Sequence, residues 1–452
     1  MTVPPPLSEL RKRFPEAFRV SETLHSAGFS ALFAGGCVRD WLLGREAKDI
    51  DIASDAAPDE VEALFPRTHA IGKSFGVIQV MEGRELFEVA TFRRDLEQSD
   101  GRHPGRIEPS SPTEDARRRD FTVNGLFLDP DSGEVIDFVG GREDLAAKRI
   151  RAIGDPRERF REDHLRMLRA ARFAAVLGFD IEAETRTAIR ERAPDLQRIS
   201  VERIRTEFVR LLTEAPRPGD AVELLDDCGL LEQILPEFLD LRGCDQPPEF
   251  HPEGDVWVHT LMMLNELKNP SPALALAVLL HDIGKPATRS VENGRIRFTG
   301  HAQVGAKMAE TWMRKMKFGK ALREQVVGMV DRHMNFMNVG QMRKASLRRM
   351  VGRPHFDEEL ELHRIDCLCS NGITASHERL IQAKAEYEAE AALPEPWITG
   401  QDLLAMGIEK GPIIGKWKQR AYDEQLEGTH PDKASLLDWV KTRAKRMTSD
   451  GE

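Results

Sequence analysis

Residues 31–52 read ALFAGGCVRDWLLGREAKDIDI and decide the fold of the first part of the chain. An apolar run of strand length leads into the pair Gly35-Gly36, and a helical stretch follows. Because glycine has no side chain, the backbone of such a turn can approach a phosphate group, and Arg39 can add a charged donor. Glycine pairs at strand–helix turns also occur for packing reasons. The turn therefore indicates an anion site only together with a second signal.

Two aspartates supply that signal. Residues i and i+2 of a strand point to one face, so Asp49 and Asp51 converge while Ile50 and Ile52 face the core. Paired carboxylates beside a triphosphate-binding turn suit two Mg²⁺ ions, which activate a hydroxyl and stabilise the leaving pyrophosphate. A solvated strand face is the plain alternative. Glu88 interrupts a later apolar strand and could be a third ligand, a general base or an ordinary edge-strand charge.

The remaining pattern predicts an α/β head followed by helices. We expect an opening amphipathic helix over 8–27, further helices at 38–43 and 58–65, and short strands at 31–34, 50–53, 77–81, 86–92, 125–128 and 135–138. Residues 94–112 are rich in glycine, proline, serine and charge and predict a long loop within the head. From residue 155 onward helical periodicity dominates, and candidate boundaries are the proline clusters at 216–218, 247–252 and 394–396.

Composition sets the class of protein. The chain has 452 residues, 40% hydrophobic and 31% charged, which is typical of a soluble protein of several domains. Its longest apolar run, 273–280, is too short for a bilayer and its start lacks a signal pattern, so we expect a cytoplasmic protein without a membrane partner. The five scattered cysteines fit reduced thiols. The net charge of −10 is unusual for a nucleic-acid binder, but residues 157–172 are rich in arginine, and local fields decide binding.

Further motifs give a family resemblance. The glycine pair followed by DIDI resembles the signature of the DNA polymerase β nucleotidyltransferase superfamily. RRDFTVN at 118–124, EDHLRMLRAARF at 162–173 and ISVERI at 199–204 are similar to motifs of class II tRNA nucleotidyltransferases (CCA-adding enzymes) and of the related bacterial poly(A) polymerases. The resemblance implies an α+β fold. Its expected parts are a polymerase-β-like head with a mixed or antiparallel sheet (1–150), an all-α neck and body (151–245), an HD domain (246–380) and a helical tail (381–452).

The resemblance also implies an activity, which is template-independent addition of CMP and AMP to the 3′ end of tRNA from CTP and ATP. A poly(A) polymerase or an A-adding specialist is the alternative, although the loop at 94–112 has the length found in members that complete CCA. From another class, an HD phosphohydrolase with a nucleotide-sensing head is possible. The catalytic residues implied are Asp49, Asp51 and Glu88, and the nucleotide-binding residues are Gly35, Gly36, Arg39, Arg119, Asp163, Arg166, Arg169 and Arg172.

Asp163 and Arg166 also have a physical interpretation. Residues three apart on a helix are neighbours, so an acceptor and a forked donor would lie side by side. Asp163 can accept from the amine of cytosine or adenine while Arg166 donates to the adjacent ring nitrogen. Uracil and guanine present the opposite pattern, at a cost of roughly 1–3 kcal/mol per buried group. An ordinary exposed ion pair on a helix is the alternative.

The second half contains a candidate metal site. His281-Asp282 ends an apolar helix, and adjacent histidine and aspartate can bind one transition metal while distant helices supply the other ligands. Single histidines on apolar helices are more often core residues. The order of the ligand-type residues resembles an HD phosphohydrolase, which implies a divalent transition metal and action on tRNA ends or nucleotides, although such domains can be vestigial. The residues concerned are His259, His281, Asp282 and Asp366, with His301 and His333 as ligands of a second metal.

The end of the chain, from Trp397 to Lys416, resembles the C-terminal region of the same enzymes. Its glycine turns and the later lysines suit contact with the tRNA backbone, and a packing role is equally compatible with the pattern.

Overall fold

The computed structural model describes residues 3–449 apart from 71, 96–106, 250, 253, 371, 373–374 and 390–393. Its backbone contacts divide the chain into two compact units, residues 1–239 with 315–317, and residues 240–314 with 318–452. The finer division into head, neck and body, HD domain and tail stays a prediction.

Strands of the first unit form one sheet and two short ribbons. They are β1 (Ala31–Ala34), β2 (Asp51–Ser54), β3 (Thr68–His69), β4 (Val77–Glu82), β5 (Glu85–Thr91), β6 (Arg93–Asp95), β7 (Ile107–Pro109), β8 (Leu126–Leu128), β9 (Val135–Asp137), β10 (Arg149–Ile150) and β11 (Asp180–Ile181). The seven-stranded sheet has the order β3-β4-β5-β2-β1-β8-β9. Only β2 and β5 of its neighbouring pairs run parallel, so the predicted mixed sheet is confirmed.

Helices surround this sheet and continue beyond it. In the first unit they are α1 (Leu7–Arg13), α2 (Pro15–Ser26), α3 (Gly36–Leu42), α4 (Pro58–Leu64), α5 (Pro112–Arg117), α6 (Gly141–Ala146), α7 (Pro156–Glu162), α8 (Leu165–Leu177), α9 (Ala183–Arg192), α10 (Val201–Glu214), α11 (Pro218–Asp227) and α12 (Leu231–Ile234). Short 3-10 helices occur at Lys73–Phe75, Thr122–Asn124, Ala193–Arg198, Pro236–Leu241 and His333–Gln341.

The second unit is helical apart from the two-stranded ribbon of β12 (Ser290–Glu292) and β13 (Arg295–Arg297). Its helices are α13 (Val256–Asn265), α14 (Pro272–Leu280), α15 (Lys285–Thr288), α16 (His301–Lys315), α17 (Lys320–Arg332), α18 (Lys344–Val351), α19 (Phe356–Cys369), α20 (Ala375–Ala389), α21 (Gly400–Ala405), α22 (Pro412–Glu427) and α23 (Lys433–Ser449). Helix α14 is apolar on all sides and therefore lies in the core, buried from Ala273 to Leu280.

Two local expectations are corrected. The predicted opening helix over 8–27 is two helices, because Pro15 cannot donate a backbone hydrogen bond and starts α2 after Phe14, whose backbone is not helical at φ −131° and ψ 52°. The predicted loop 94–112 is not structureless at its ends, since β6 and β7 pair antiparallel and Ser111 caps α5. Its middle, 96–106, lies outside the described residues. The residues from 155 onward are mainly helical, as predicted. The exceptions are β11, which pairs with β10, and the ribbon of β12 and β13.

The tail packs on itself. Ile398, Leu403, Trp417 and Leu436 are buried together in one apolar cluster. The packing interpretation of this region is therefore supported for its apolar residues, whereas Lys416 on the same segment is exposed. Within the described part of the chain, no helix is both long and apolar enough to span a bilayer.

Candidate functional site

A cleft of about 570 Å³ in the first unit, here called the head cleft, brings most of the predicted residues together. Every predicted nucleotide-binding residue lines it, together with two of the three predicted catalytic carboxylates: Gly35, Gly36, Arg39, Asp49, Asp51, Arg119, Asp163, Arg166, Arg169 and Arg172. Glu88 is not among its lining residues. Motifs spread over about 140 residues of sequence thus meet in one place.

The turn between β1 and α3 depends on its first glycine. Gly35 has φ 72° and ψ −120°, a combination that residues with a side chain rarely adopt. Its N–H donates to the carbonyl of Leu126 at 2.8 Å, which ties the turn to β8. A Cβ on Gly35 would lie 2.7 Å from Nη1 of Arg119. Gly36 instead has ordinary helical backbone angles and begins α3. The backbone conformation therefore requires a glycine at position 35 but not at position 36.

Strand register explains the position of the third carboxylate. Asp51 and Glu88 are direct partners in the parallel pair of β2 and β5, and both are exposed, whereas their neighbours Ile52 and Val89 are buried. Desolvation by the surrounding protein and the charges of Glu88 and Asp49 raise the pKa of Asp51 to about 6, despite the opposing charge of Arg119. The three acids therefore form an anionic cluster whose repulsion a bound cation would relieve.

The carboxylates of this cluster lie farther apart than the ligands of a preformed metal site. Among the described residues, the groups of three ligand side chains whose atoms come within 4.8 Å of one another are both in the second unit. Asp49 precedes β2 rather than lying within it, because the strand begins at Asp51. The predicted strand over 50–53 is thus one residue too early, and Asp49 lies two positions before the first residue of β2.

A buried aspartate holds two arginines at the turn. Asp115 of α5 forms ion pairs with Arg118 at 2.6 Å and Arg119 at 3.0 Å. Burial opposes ionisation of Asp115, but the two arginines outweigh it and lower its pKa. Arg119 is therefore fixed beside Gly35. Asp115 had not been predicted, although its spacing of three and four residues from the two arginines is a usable signal.

A hydrogen-bonded chain links the turn to α8. Nη1 of Arg39 donates to Oδ1 of Asn124 at 2.7 Å, and Nδ2 of Asn124 donates to Oδ1 of Asp120 at 3.1 Å. Nη2 of Arg169 lies 2.7 Å from Oδ2 of Asp120. Burial would raise the pKa of Asp120, but Arg169 and Asn124 lower it to about 2. Asp120 and Asn124 belong to the RRDFTVN motif but had been given no role of their own.

The predicted base-reading pair lies at a helix junction. Asp163 ends α7 with extended backbone, φ −147° and ψ 105°, and α8 starts at Leu165, so one continuous helix through Asp163 is wrong. Asp163 accepts from the N–H of Leu165 at 3.0 Å and from Arg203 at 2.8 Å. Arg166 donates to the carbonyl of Arg118 at 3.2 Å. Both side chains line the head cleft, and each is held by groups other than its neighbour.

The last two arginines of the motif rest on a buried glutamate. Arg172 is 3% exposed and lies 2.6 Å from Oε2 of Glu207, while Arg169 is 3.8 Å from its other oxygen. Burial lowers the pKa of Arg172 against the opposing charge of Glu207. Glu207 was missed, although an acid between Ile204 and Phe208 on the apolar face of α10 marks a buried ion pair.

The second unit contains a separate centre, here called the histidine–aspartate cluster. His281 and Asp282 follow α14, where a Cβ on Gly284 would lie 2.3 Å from the carbonyl of His301, so this glycine lets two chain segments approach closely. Two groups of potential metal ligands share Asp282. The first group is His259, His281 and Asp282, and the second group is Asp282, His301 and His333. Asp366 joins them at 3.2 Å from Nε2 of His259.

Three of the histidines have a fixed orientation. In His281, His301 and His333 the Nδ1 atom lies 2.7–2.8 Å from the carbonyl oxygen of the residue three positions earlier. A carbonyl oxygen can only accept, so Nδ1 carries the proton and Nε2 is left with a lone pair. These Nε2 atoms converge, with 3.2 Å between those of His301 and His333. In metal sites, a hydrogen bond from the ring nitrogen that does not bind the metal fixes the imidazole in this same orientation.

Electrostatics favour a neutral imidazole at His301 and an ionised carboxylate at Asp282. Burial lowers the pKa of His301 to about 4, although Asp282 opposes this. Burial would raise the pKa of Asp282, but the charges of His281 and Lys285 hold it well below its usual range. Nζ of Lys285 lies 2.6 Å from Oδ2 of Asp282. The donor set of neutral imidazoles and carboxylates fits a divalent transition metal.

Comparison with protein families matches three segments of the chain. They are the Poly A polymerase head domain over residues 31–151, the probable RNA and SrmB-binding site of polymerase A over 178–241, and the HD domain over 255–370. A CCA-adding enzyme of Streptococcus mutans is 40% identical over 300 residues, 64% of this chain and 74% of that protein. The chain belongs to the CCA-adding enzyme family. The nucleotidyltransferase head and the HD domain together imply dependence on divalent metal.

Other relatives agree. A CCA-adding enzyme of Geobacillus sp. is 46% identical over 222 residues, 49% of this chain and 54% of that protein, so the chain spans about half the length of such curated relatives. The crystal structure of the Bacillus stearothermophilus CCA-adding enzyme in complex with CTP matches with a TM-score of 0.73 at 26% identity, over 97% of this chain and 99% of that one. The Thermotoga maritima enzyme complexed with tRNA shares the fold, with a TM-score of 0.58 at 18% identity. The predicted family and fold class are confirmed.

Proposed function

We propose that the protein adds CMP and AMP to the 3′ end of tRNA, consuming CTP and ATP and releasing pyrophosphate. One observation carries the proposal: the head cleft contains Asp49 and Asp51 beside the Gly35–Gly36 turn, and Asp163 with Arg166 on its wall. A transfer site and a base-reading site therefore share one cavity. Such a reaction also suits the cytoplasmic location expected from the sequence.

The carboxylates fit Mg²⁺. Asp49 and Asp51, with Glu88 opposite Asp51 on β5, would hold it, because a bound cation would offset the desolvation and the repulsion between acids that disfavour the ionised form of Asp51. When bound, Mg²⁺ supplies Lewis-acid activation of the attacking 3′-hydroxyl and charge compensation for the leaving pyrophosphate. The choice of Mg²⁺ over other divalent ions rests on the preference of carboxylate oxygens for hard cations.

The protein's own groups would bind and orient the nucleotide. The glycine turn admits the triphosphate close to the backbone, and Arg39 and Arg119 are charged donors at its edge. Asp163 has a lone pair left on each oxygen after its two hydrogen bonds, so it can accept from the amine of cytosine or adenine. Arg166 can donate to the adjacent ring nitrogen of either base.

A gel assay on tRNA lacking its terminal CCA tests the proposal. With CTP alone we expect cytidines to be added and extension to stop, and with both nucleotides we expect one further step to a defined end. ATP alone should give no extension of this substrate. Long tails with ATP alone would instead establish a poly(A) polymerase, and extension only of tRNA ending in CC would establish an A-adding specialist.

We infer a second activity from the histidine–aspartate cluster, namely hydrolysis of a phosphate ester at a tRNA end or in a nucleotide. Its support is the set of three imidazoles held with Nε2 inward around the buried Asp282. His259, His281, Asp282, His301, His333 and Asp366 would hold one or two divalent transition metals. Hydrolysis of bis(p-nitrophenyl) phosphate in the presence of Mn²⁺, Co²⁺ or Ni²⁺ tests this. Equal rates for wild type and Asp282→Ala would contradict it.

The exposed lysines and arginines of the tail are proposed to contact the tRNA backbone. Lys416, Lys418 and Arg420 lie exposed on α22, around the buried Trp417 that anchors the helix. Phosphate contacts of this kind predict tRNA binding that weakens steeply with salt.

A further inference from the structure

Phe173 of α8 is surrounded by arginines in the head cleft. The guanidinium carbon lies 5.3 Å from the ring centroid for Arg39, 5.2 Å for Arg169 and 4.3 Å for Arg172. The ring lines the cleft and is only 9% exposed. Three cations thus approach a single aromatic ring on the wall of the proposed nucleotide site.

Three like charges this close repel one another, although each guanidinium also has an acidic partner, which for Arg39 is Asp40 at 2.8 Å. Arg169 is paired with Asp120, and Arg172 is paired with Glu207, which also lies 3.8 Å from Arg169. The face of an aromatic ring carries negative charge density and attracts guanidinium groups within about 6 Å, most strongly where water is excluded. The ring of Phe173 therefore adds an attraction that the carboxylates do not provide.

The arginines come from two different elements. Arg39 lies in α3, directly after the glycine turn, whereas Arg169 and Arg172 lie in α8, which continues from the junction at Asp163. Phe173 contacts both sets. Phe121 packs edge-on against it at 5.9 Å and 76° and is itself fully buried, so the orientation of the ring is fixed.

We infer that Phe173 is a positioning residue for the nucleoside triphosphate. Its π face holds the guanidinium groups of both elements at spacings that suit a polyanion lying along the cleft. Without that face the arginines spread apart, and the loss falls on nucleotide affinity rather than on the chemical step. The inference rests on the proposed function, because it deepens the description of the same site.

Progressive fluorination of the ring tests it in the full-length protein. Fluorinated phenylalanines at position 173 keep the shape of the side chain but withdraw negative charge from its face. The dissociation constants for CTP and ATP, measured by calorimetry without RNA, should rise stepwise to about tenfold at the highest fluorination. The maximal rate of tRNA extension at saturating nucleotide should stay at the wild-type value, as a purely structural role would not predict.

A matched control is the same series at Phe179, which follows α8 and is 8% exposed. No guanidinium of the described arginines lies over its ring, so its fluorination should leave both dissociation constants unchanged. Phe173→Tyr should bind CTP like the wild type, and Phe173→Leu should bind it about tenfold more weakly.

Two results would overturn the inference. One is a flat dissociation constant across the fluorinated series at Phe173, and the other is a folded Phe173→Leu protein with wild-type affinity for CTP. Failure of the proposed function would look different, because the wild-type protein would then fail to complete CCA on tRNA supplied with CTP and ATP, whatever its dissociation constants for the two nucleotides.

Discussion

Asp51 and Glu88 face each other across two parallel strands, and this pairing couples their charges. The closeness of Asp49 and Asp51 in the head cleft could be predicted from sequence because a single residue separates them, although Asp49 lies before β2 rather than within it. The contact with Glu88 could not, since 37 residues separate the two acids and their register is set by the parallel pairing of β2 and β5. Glu207 was missed for the same reason, as its partner Arg172 lies on another helix.

Substitution of Asp51 should change activity and thermal stability in opposite directions. We predict that Asp51→Asn abolishes nucleotide addition while raising the thermal stability of the metal-free protein. Desolvation and Glu88 raise the pKa of Asp51 from 3.8 to about 6, so the fold disfavours the ionised carboxylate that the metal requires. Because the folded protein binds more protons than the unfolded chain between these two values, the contribution of Asp51 to stability falls as pH rises from about 4 to about 6.

Melting curves without metal at several pH values check this prediction. The advantage of Asp51→Asn over the wild type should grow through that interval and level off above about pH 6. Added Mg²⁺ should stabilise the wild type and not the variant. A variant that melts below the wild type at neutral pH without metal would contradict the account.

At the scale of elements, the turn between β1 and α3 shows what a motif can and cannot reveal. The pair Gly35-Gly36 predicted a strand–helix turn, and that is correct. The sequence did not distinguish the two glycines, because their backbone angles depend on how the turn attaches to Leu126 of β8. The break at Asp163 was likewise hidden, since the helical periodicity of 162–173 is unbroken and the carboxylate instead caps the following turn.

The two glycines should respond differently to alanine. Gly35→Ala places a side chain at φ 72° and should cost about 1–3 kcal/mol of stability. Gly36→Ala has helical backbone, and its Cβ would meet nothing closer than Arg39 at 3.8 Å, so its stability should stay near that of the wild type. Its methyl group faces the cleft and should weaken CTP binding. Urea unfolding and calorimetry measure the two effects, and a Gly35→Ala protein of wild-type stability would count against the proposed turn geometry.

A buried ion pair between Arg172 and Glu207 joins α8 to α10. Glu207→Ala leaves Arg172 buried without its main partner and should destabilise the first unit by about 3–5 kcal/mol. The matched control is Glu202→Ala on the same helix, whose side chain is 44% exposed and whose loss should cost less than about 1 kcal/mol. Urea unfolding followed by circular dichroism compares them. Similar midpoints for the two variants would show that the buried pair does not stabilise the helices.

At the scale of the whole molecule, the chain divides into two units, each with its own candidate site. The order of motifs along the sequence predicted both centres, because the family resemblance covers each. The sequence predicts four parts, whereas the backbone contacts form two compact units, since burial of apolar faces between neighbouring helices is a property of packing rather than of local pattern. All residues of the head cleft lie in the first unit, and the histidine–aspartate cluster lies in the second.

A substitution at one centre should therefore abolish the activity of that centre and leave the activity of the other unchanged. Asp282→Ala should lose transition-metal binding and phosphate-ester hydrolysis while tRNA extension stays at the wild-type rate, and Asp51→Asn should show the reverse. Metal content by mass spectrometry and both assays on the same preparations measure this. Loss of extension in a folded Asp282→Ala protein would show that the second unit contributes to the transfer reaction.

The account depends most on the claim that two carboxylates of one short segment hold a metal ion beside a bound triphosphate. A crystal structure with Mn²⁺ and a non-hydrolysable CTP analogue tests it directly. We predict anomalous scattering from Mn²⁺ between Asp49 and Asp51, with the triphosphate at the Gly35–Gly36 turn and the base beside Asp163. A bound analogue whose metal is held elsewhere, with both aspartates free, would contradict it.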